Sequence, residues 1–291
     1  MDQILRAIDK NYSFRLFFIQ SDNLVEEAKQ IHGLSRSATV ALGRLLTANL
    51  LLAADLKNTE DRLTLQMRGN GPSGFLVTTA DGSGHVKGYA DQPEAKVADK
   101  KNGEPDAGAY VGKEGTFVLI RDYGMKEPYT AHSPLVTGEI AEDIAAYYYQ
   151  TEKIPTAISL GVQLNEDDSV KTAGGFFLQA MPGVSEEELG KLEDFIKTLP
   201  DITALLEVHT PEEIIRTAFA AFEMDILDTS DVSYRCDCSR EKVEDALTSL
   251  HKDEIETMIK EDGGAEVVCH FCNKKYAFSE TDLRQIIENR N

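Results

Sequence analysis

The spacing of hydrophobic and polar positions changes along this chain, and each spacing predicts a type of element. Between Ser35 and Leu56, leucines and alanines recur at helical intervals, which predicts a buried helix. The segment LTLQMRGNGPSGFLVTTADGSGHVKGYA then alternates apolar and polar residues between glycine turns, which is typical of a hairpin or meander. Further strands are predicted at GTFVLIRDYG, TAISLGVQL and GGFFLQAM, with a helix at GEIAEDIAAYYYQTEK. Short strands that follow one another predict a mainly antiparallel sheet with helices packed on it.

The composition changes after Pro182. Between Val184 and Asp231 the chain is acidic, and we expect helices without strands. Two capping boxes mark helix starts: Ser185 with Glu188, and Thr210 with Glu213, the second with Pro211 at the first helical position. This segment is expected to join the sheet domain to the cysteine-containing C-terminal part.

The C-terminal part predicts a third unit of small elements. Ser239 can cap a helix that runs through Leu250, and a second short helix is expected to end at Gly263-Gly264. The segment AEVVCHFCNKKYAF predicts a strand, a tight turn and a strand, after which Ser279 caps a final helix. The chain as a whole therefore predicts an α+β fold with three parts. These are an N-terminal mainly antiparallel sheet domain with helices (1–182), a helical linker (183–232) and a small C-terminal α+β domain (233–291).

Charge and hydropathy exclude several classes of function. The formal net charge is −20, and binding to a phosphate backbone depends on Lys and Arg displacing counterions, so we expect no nucleic-acid partner. The sequence contains no run of eighteen apolar residues, so we predict no membrane span. The N-terminus lacks a basic start followed by an apolar block, so we expect no secretory signal and a cytoplasmic location.

A glycine motif in the sheet region resembles a nucleotide-binding loop. Gly69, Gly71 and Gly74 match G-x-G-x-x-G. A dinucleotide site needs that loop to lead from a strand into a helix, whereas here it leads into the strand FLVTT. We therefore predict a hairpin turn and no nucleotide site.

All four cysteines lie near one end of the sequence, as a CxC (Cys236, Cys238) and a CxxC (Cys269, Cys272). Structural disulfides are not expected in the reducing cytosol, and the sequence leaves three pairings open. A CxxC between two strands is the usual half of a zinc site, and the helices between the two motifs can bring them together. Four thiolates at about 2.3 Å from one Zn²⁺ form a closed tetrahedral site without a position for substrate water. The pattern predicts one structural Zn²⁺, with four free thiols as the alternative.

A purely structural role for the zinc stays open, but three features favour a redox switch. CxC is a less usual half-site, and each close pair needs only a modest movement to reach the disulfide length of about 2.05 Å. The third feature is positive charge that favours reactive thiolates, opposed by Asp237; the basic residues are Arg235, Arg240, Lys274 and Lys275. Because a small unit buries little core, loss of zinc that supplies about 10–16 kcal/mol of folding free energy would unfold it.

At these residues the chain resembles a known family, the redox-regulated 33-kilodalton heat-shock chaperones, also called HslO. RCDCSREKVEDAL and EDGGAEVVCHFCNKKYAF resemble the zinc domain of that family. LTLQMRGNGPSG, GEIAEDIAAYYYQTEKIPTAISLGVQL and AGGFFLQAMPG are similar to its N-terminal domain. The likeness covers nearly the whole chain, and the cysteine pattern shows no departure.

The resemblance implies an ATP-independent holdase that is not an enzyme. Cys236, Cys238, Cys269 and Cys272 would bind one Zn²⁺ per chain in the reduced, inactive state. Peroxide with heat, or hypochlorite, would form the Cys236–Cys238 and Cys269–Cys272 disulfides, after which the zinc would be lost and the linker would unfold. The active protein would be a homodimer that binds unfolding client proteins and prevents their aggregation during oxidative and heat stress.

Three other functions are compatible with parts of the sequence. A static zinc module for nucleic-acid or protein binding would keep its zinc under peroxide. A thiol oxidoreductase that uses CHFC would normally carry that motif at a helix start after a strand, whereas here it is predicted between strands. A hydrolase in the N-terminal domain would need a nucleophile and a base, and the sequence shows no such constellation.

Overall fold

The computed structural model describes residues 2–289, within which thirteen strands form. Met1, Arg290 and Asn291, which the predicted terminal domains include, lie outside the described residues. The strands are β1 (Gln3–Asp9), β2 (Phe14–Gln20), β3 (Arg62–Arg68), β4 (Leu76–Asp81), β5 (His85–Ala90), β6 (Thr116–Asp122), β7 (Tyr129–Pro134), β8 (Thr156–Leu164), β9 (Val170–Ala180), β10 (Met224–Asp231), β11 (Ser233–Tyr234), β12 (Gly264–Val268) and β13 (Lys275–Ser279).

Ten α-helices occur in the same range. They are α1 (Asp22–His32), α2 (Arg36–Ala53), α3 (Ala107–Val111), α4 (Ala141–Tyr147), α5 (Glu186–Thr198), α6 (Ile202–Leu206), α7 (Pro211–Thr217), α8 (Arg240–Thr248), α9 (Lys252–Asp262) and α10 (Glu280–Glu288). A π-helical turn (Tyr148–Glu152) extends α4, and a 3₁₀ turn (Ala220–Phe222) follows α7. No helix between residues 2 and 289 is both long and apolar enough to cross a membrane.

Two large sheets and one hairpin contain all these strands. The five-stranded sheet has the order β10-β1-β2-β9-β8, and each neighbouring pair is antiparallel. The six-stranded sheet has the order β11-β5-β4-β3-β6-β7 and is antiparallel except for the two-residue parallel pairing of β11 with β5. Within residues 2–289, strands β12 and β13 pair only with each other. The predicted α+β class with a mainly antiparallel sheet is confirmed.

The chain divides between Arg235 and Cys236 into two compact units, which we call the main unit and the cysteine unit. The main unit holds both large sheets and α1–α7, and the cysteine unit holds α8, α9, the β12–β13 hairpin and α10. Strand β11 lies in the main unit, where the N–H of Arg235 donates to the carbonyl of Val86 at 2.8 Å. The main unit therefore ends one residue before the first cysteine.

Helix α2 forms the centre of the main core. Its leucines pack against strands of both sheets, and Leu42, Leu45 and Leu46 are fully buried. The helix starts where the sequence predicts because Ser35 caps it, its hydroxyl accepting from the N–H of Ala38. One apolar helix thus holds the two sheets of the main unit together.

A second apolar layer covers the opposite face of the five-stranded sheet. Because successive strand residues point to opposite faces, a separate set of sheet side chains meets α5–α7 there. The sheet side chains include Leu5, Phe14, Leu16, Phe18, Phe176 and Leu178. The side chains that meet them include Leu192, Ile202, Leu206, Ile214 and Ile215 from the helices, and Phe219, which follows α7. The ring of Phe219 lies 6.5 Å from that of Phe18 and 5.4 Å from that of Phe176, both edge to face. Both predicted capping boxes, at α5 and α7, are present.

The expectation that residues 184–231 contain no strand was wrong. Strand β10 spans Met224–Asp231 and pairs antiparallel with β1 at the edge of the five-stranded sheet. Most of its side chains, including those of its aspartates, are exposed. An edge strand needs only backbone pairing on one side, so its acidic side chains can remain in solvent and conceal the strand in the hydropathy pattern.

The glycine motif lies between β3 and β4, as predicted for a hairpin turn. The N–H of Gly71 donates to the carbonyl of Val111 at 3.0 Å. A Cβ at Gly71 would lie 2.4 Å from the carbonyl oxygen of Tyr110, so glycine permits close backbone approach there. The loop packs two main-chain segments together and does not lead into a helix.

Replacing Leu46 by alanine should lower the free energy of unfolding of the main unit by about 2–5 kcal/mol, because it leaves a cavity in a fully buried position. Urea denaturation followed by far-ultraviolet circular dichroism measures the change. The matched control is Leu227→Ala in β10, where the side chain is 65% exposed and the expected change is within about 0.5 kcal/mol. Equal losses in the two variants would contradict the central role of α2.

Candidate metal centre

A tight turn between β12 and β13 places the two sulfurs of the CxxC. Within residues 269–274, the N–H of Asn273 donates to the carbonyl of Cys269 at 2.8 Å, and the N–H of Cys269 donates to the carbonyl of Lys274 at 2.9 Å. Asn273 has a φ of 57°, a left-handed conformation that asparagine tolerates better than most residues. The chain therefore reverses sharply and brings Cys272 back towards Cys269.

The CxC lies immediately before α8, whose start fixes its position. Ser239 caps this helix and accepts from the N–H of Lys242 at 3.3 Å. The Lys242 ammonium donates to the carbonyl of Asp237 at 2.9 Å and to its carboxylate at 2.5 Å. The negative charge between the two cysteines, which the sequence indicated as unfavourable for thiolates, is thus held by a lysine.

The four cysteines meet in one cluster, which we call the four-cysteine cluster. All four Sγ atoms lie within 4.8 Å of one another. The Sγ atoms of Cys236 and Cys269 are 3.7 Å apart, and those of Cys238 and Cys272 are 3.3 Å apart. A tetrahedral ion with four Zn–S bonds of about 2.3 Å separates its sulfurs by about 3.8 Å. The cluster can therefore hold one metal ion of this size.

Hydrogen bonds and burial act differently on the thiols of Cys236, Cys238 and Cys272. Burial raises the pKa of the Cys236 and Cys272 thiols, opposed by N–H groups of Cys238 and Lys274 that donate to these sulfurs. Burial also acts to raise the pKa of Cys238, but hydrogen bonds from the Tyr276 hydroxyl and from neighbouring thiols outweigh it and lower that pKa to about 7. Donors directed at sulfur are what metal-bound thiolates require, so the chemistry of the site fits a soft, tetrahedral ion.

Tyr276 belongs to the site, and the sequence analysis did not single it out. Its hydroxyl donates to the Sγ of Cys238 at 3.1 Å, and the side chain is buried. This hydrogen bond is the main reason that the pKa of Tyr276 is raised, so the hydroxyl stays protonated as a donor. Alternation in β13 puts Tyr276 and Phe278 on its buried face, which the sequence does show. The sulfur partner depends on the turn geometry, which the sequence does not show.

Two of the basic residues expected to favour thiolates are paired with carboxylates instead. Arg240 lies 3.2 Å from Glu244 and 3.1 Å from Asp282. The ammonium of Lys275 lies 2.9 Å from Glu266. Hydrogen bonds at the sulfurs therefore contribute more to the thiol chemistry than these two cations do.

The four-cysteine cluster brings together two segments of the cysteine unit that are far apart in the sequence. The CxC precedes α8, the CxxC lies between β12 and β13, and α8 and α9 lie between the motifs in the chain. The CHFC motif lies between strands rather than at a helix start, as predicted, which is unlike a thioredoxin-type redox site. Four sulfur ligands would fill a tetrahedral shell and leave no position for substrate.

Comparison with known proteins gives one consistent result. A family model described as "Hsp33 protein" matches residues 2–279. The 33 kDa chaperonin of Clostridioides difficile is 43% identical over 99% of each chain, and that of Streptococcus thermophilus is 43% identical over 99% of this chain and 100% of the relative. The crystal structure of the 33 kDa chaperonin (heat shock protein 33 homologue) from Thermotoga maritima matches with a TM-score of 0.90 and 36% identity, covering 98% of this chain and 97% of that one. The resemblance seen in the sequence is confirmed, and this chain belongs to the Hsp33 family.

Proposed function

We propose that this chain is a redox-regulated molecular chaperone, a holdase that binds unfolding proteins without ATP. Its relatives are named 33 kDa chaperonins, which supports the chaperone activity. The four-cysteine cluster is the observation that carries the redox control. In this proposal the chain is inactive when reduced and metal-bound, and it is active after oxidation.

The reduced cluster is proposed to bind one Zn²⁺ per chain through Cys236, Cys238, Cys269 and Cys272. Bound Zn²⁺ would crosslink the start of the cysteine unit to its β12–β13 hairpin and keep the sulfurs as thiolates. The Sγ spacing within 4.8 Å supports this ligand set. Because four protein ligands fill the shell, the proposal assigns the metal no catalytic role and the chain no enzymatic one.

Peroxide is proposed to convert the cluster into two disulfides. A thiolate sulfur attacks one peroxide oxygen, the O–O bond breaks, and the released hydroxide takes up a proton to form water. A second thiolate then attacks the resulting sulfenic sulfur, the S–S bond forms as the S–O bond breaks, and the displaced hydroxide takes up a proton to form a second water. Each disulfide thus uses one peroxide molecule as its two-electron oxidant. The resemblance to the family implies the Cys236–Cys238 and Cys269–Cys272 pairings, and the spacing of the sulfurs also permits pairing across the two motifs.

Loss of the metal is proposed to unfold the cysteine unit, because its apolar core is small. The buried apolar residues of that core are Leu247, Ile255, Tyr276, Phe278, Leu283 and Ile286. Structural zinc contributes about 10–16 kcal/mol in small zinc domains, whereas a whole domain is stable by about 5–15 kcal/mol. Disulfides no longer offer thiolates to the metal, so oxidation removes stabilisation as large as the stability of the unit.

The client-binding surface is proposed to lie beneath the linker. In this proposal the linker is residues 183–232 and the redox-switch domain is residues 233–291. Helices α5–α7 cover aromatic side chains of the five-stranded sheet, Phe18 and Phe176 among them. When the linker unfolds, both this sheet face and the apolar sides of the helices become available to apolar segments of clients. The net charge of −20 would keep such a protein soluble.

Three further properties complete the proposal. The chain acts in the cytoplasm, where thiols are kept reduced until oxidative stress. Its active form is a homodimer, as the family resemblance implies. Neither ATP nor nucleic acid is a ligand: the net charge disfavours a phosphate backbone, and the glycine motif does not lead into a helix.

Peroxide at raised temperature should release about one zinc per chain and suppress the aggregation of a thermally unfolding client, because both effects follow from loss of the thiolates. A chromophoric chelator reports the zinc while light scattering reports the client in the same sample. Reductant with added zinc should reverse both signals. Retention of zinc with full suppression of scattering would refute the redox switch.

The double variant Cys236→Ser/Cys238→Ser should lose tight zinc binding and the redox dependence of client binding, because half of the ligand set is removed. Zinc content and client light scattering, each with and without peroxide, check this. Ser249→Ala, in an exposed position after α8, serves as the control and should behave as wild type. If the double variant still switches with peroxide, the control resides elsewhere.

Phe219→Ala should give client binding in the reduced, zinc-loaded protein, because it removes a buried ring that holds the helices on the sheet and costs about 3–5 kcal/mol. Light scattering of a client under reducing conditions, together with a zinc assay, measures this. The control Glu212→Ala alters an exposed residue of α7 and should stay inactive. A reduced Phe219→Ala protein without client binding would argue against the surface beneath α5–α7.

A further inference from the structure

Tyr276 contributes a side-chain hydroxyl to the four-cysteine cluster. Strand β13 fixes its backbone through pairing with Val267 in β12, and the ring is packed into the core of the cysteine unit with only 6% of the residue exposed. The hydroxyl therefore has little freedom, and it donates to the Sγ of Cys238 at 3.1 Å. The ammonium of Lys274 lies 5.2 Å from the ring centroid, a position in which the ring attracts a cation.

The donors around the sulfurs differ in kind. Cys236 and Cys272 accept from backbone N–H groups of Cys238 and Lys274. A backbone N–H is present whatever side chain its residue carries, proline excepted. Cys238 accepts from a tyrosine hydroxyl, and a substitution of that tyrosine can remove this donor. Besides the neighbouring thiols, the residue type at position 276 therefore decides which donor Cys238 has.

We propose that Tyr276 is a positioning residue that makes the Cys238 sulfur a firmer metal ligand and a slower nucleophile towards peroxide. This rests on the proposed function, since it concerns the threshold of the same switch. A hydrogen bond to a thiolate withdraws electron density from sulfur and stabilises its negative charge. Because bound zinc would already keep Cys238 as a thiolate, the hydrogen bond adds no further thiolate and only lowers the nucleophilicity of the sulfur. The stabilised sulfur therefore attacks a peroxide oxygen more slowly, so the S–O bond forms and the O–O bond breaks only at higher oxidant exposure. Tyr276 thus delays the first step of oxidation at Cys238.

Tyr276→Phe removes the hydroxyl and keeps the ring. In competition with a chromophoric chelator, the reduced variant should bind zinc about 10-fold more weakly, as is typical when a partner of a metal ligand is lost. Under a fixed peroxide concentration it should also release zinc several-fold faster than wild type. Tyr110→Phe is the control, because it removes another buried hydroxyl, bonded to the carbonyl of Gln92 at 2.9 Å in the main unit, and should change neither value.

A spectroscopic measurement separates this role from a packing defect. With Co²⁺ in place of zinc, the sulfur-to-metal charge-transfer bands should move to lower energy in Tyr276→Phe, because the sulfur loses its hydrogen bond. Placing 3-fluorotyrosine at position 276 keeps the ring and hydroxyl but makes the hydroxyl a stronger donor, so the bands should move the opposite way. Circular dichroism of each metal-loaded variant verifies the fold. If Tyr276→Phe does not fold, the charge-transfer energy of the fluorotyrosine variant tests the role of the hydroxyl.

Unchanged zinc affinity, release rate and charge-transfer energy in Tyr276→Phe would overturn this inference, as would a fluorotyrosine variant identical to wild type. These results differ from a failure of the proposed function. If the wild-type protein does not bind zinc or keeps it under peroxide, the switch itself is wrong. If the wild type switches and Tyr276→Phe switches identically, only the role of Tyr276 is wrong.

Discussion

The confinement of four sulfur atoms within 4.8 Å is the constraint on which the cysteine unit depends. Four thiolates at that spacing repel one another, and four neutral thiols interact only through weak hydrogen bonds. The spacing is stable with a central cation that compensates the charge, or with covalent bonds that remove it. A larger apolar core could hold the unit together regardless of the sulfurs, but the buried residues of this unit are few.

The main unit depends on apolar packing and not on sulfur ligands. Its five-stranded sheet is apolar on both faces, one packed against α2 and the other against α5–α7. An antiparallel sheet often leaves one face to solvent, whereas this one needs a cover on each side. The core around α2 lies between the two sheets. The second layer is formed by short, acidic helices whose outer faces are exposed. The two layers therefore differ in how much they contribute to the stability of the sheet.

Local chemistry explains what the sequence could predict. The leucine spacing of α2, the caps at Ser185, Thr210, Ser239 and Ser279, and the CxC and CxxC motifs are all short-range signals. Each was confirmed as a structural element or as a cluster of sulfurs. Strand β10 was missed because an edge strand is held by its backbone and leaves aspartates in solvent. The contact of Tyr276 with Cys238, and the pairing of β11 with β5, join residues far apart in the chain. No local pattern records such contacts, because they depend on how whole elements come together.

The helices α5–α7 are joined to one sheet at both ends, since β9 ends at Ala180 and β10 begins at Met224. For as long as β10 stays paired, undocking these helices produces a closed loop and not a free tail. The loop keeps its apolar residues at a high effective concentration near the face that they left. A client would thus compete with this tethered loop for the same face of the sheet. Such competition would shorten the residence of a client on this face.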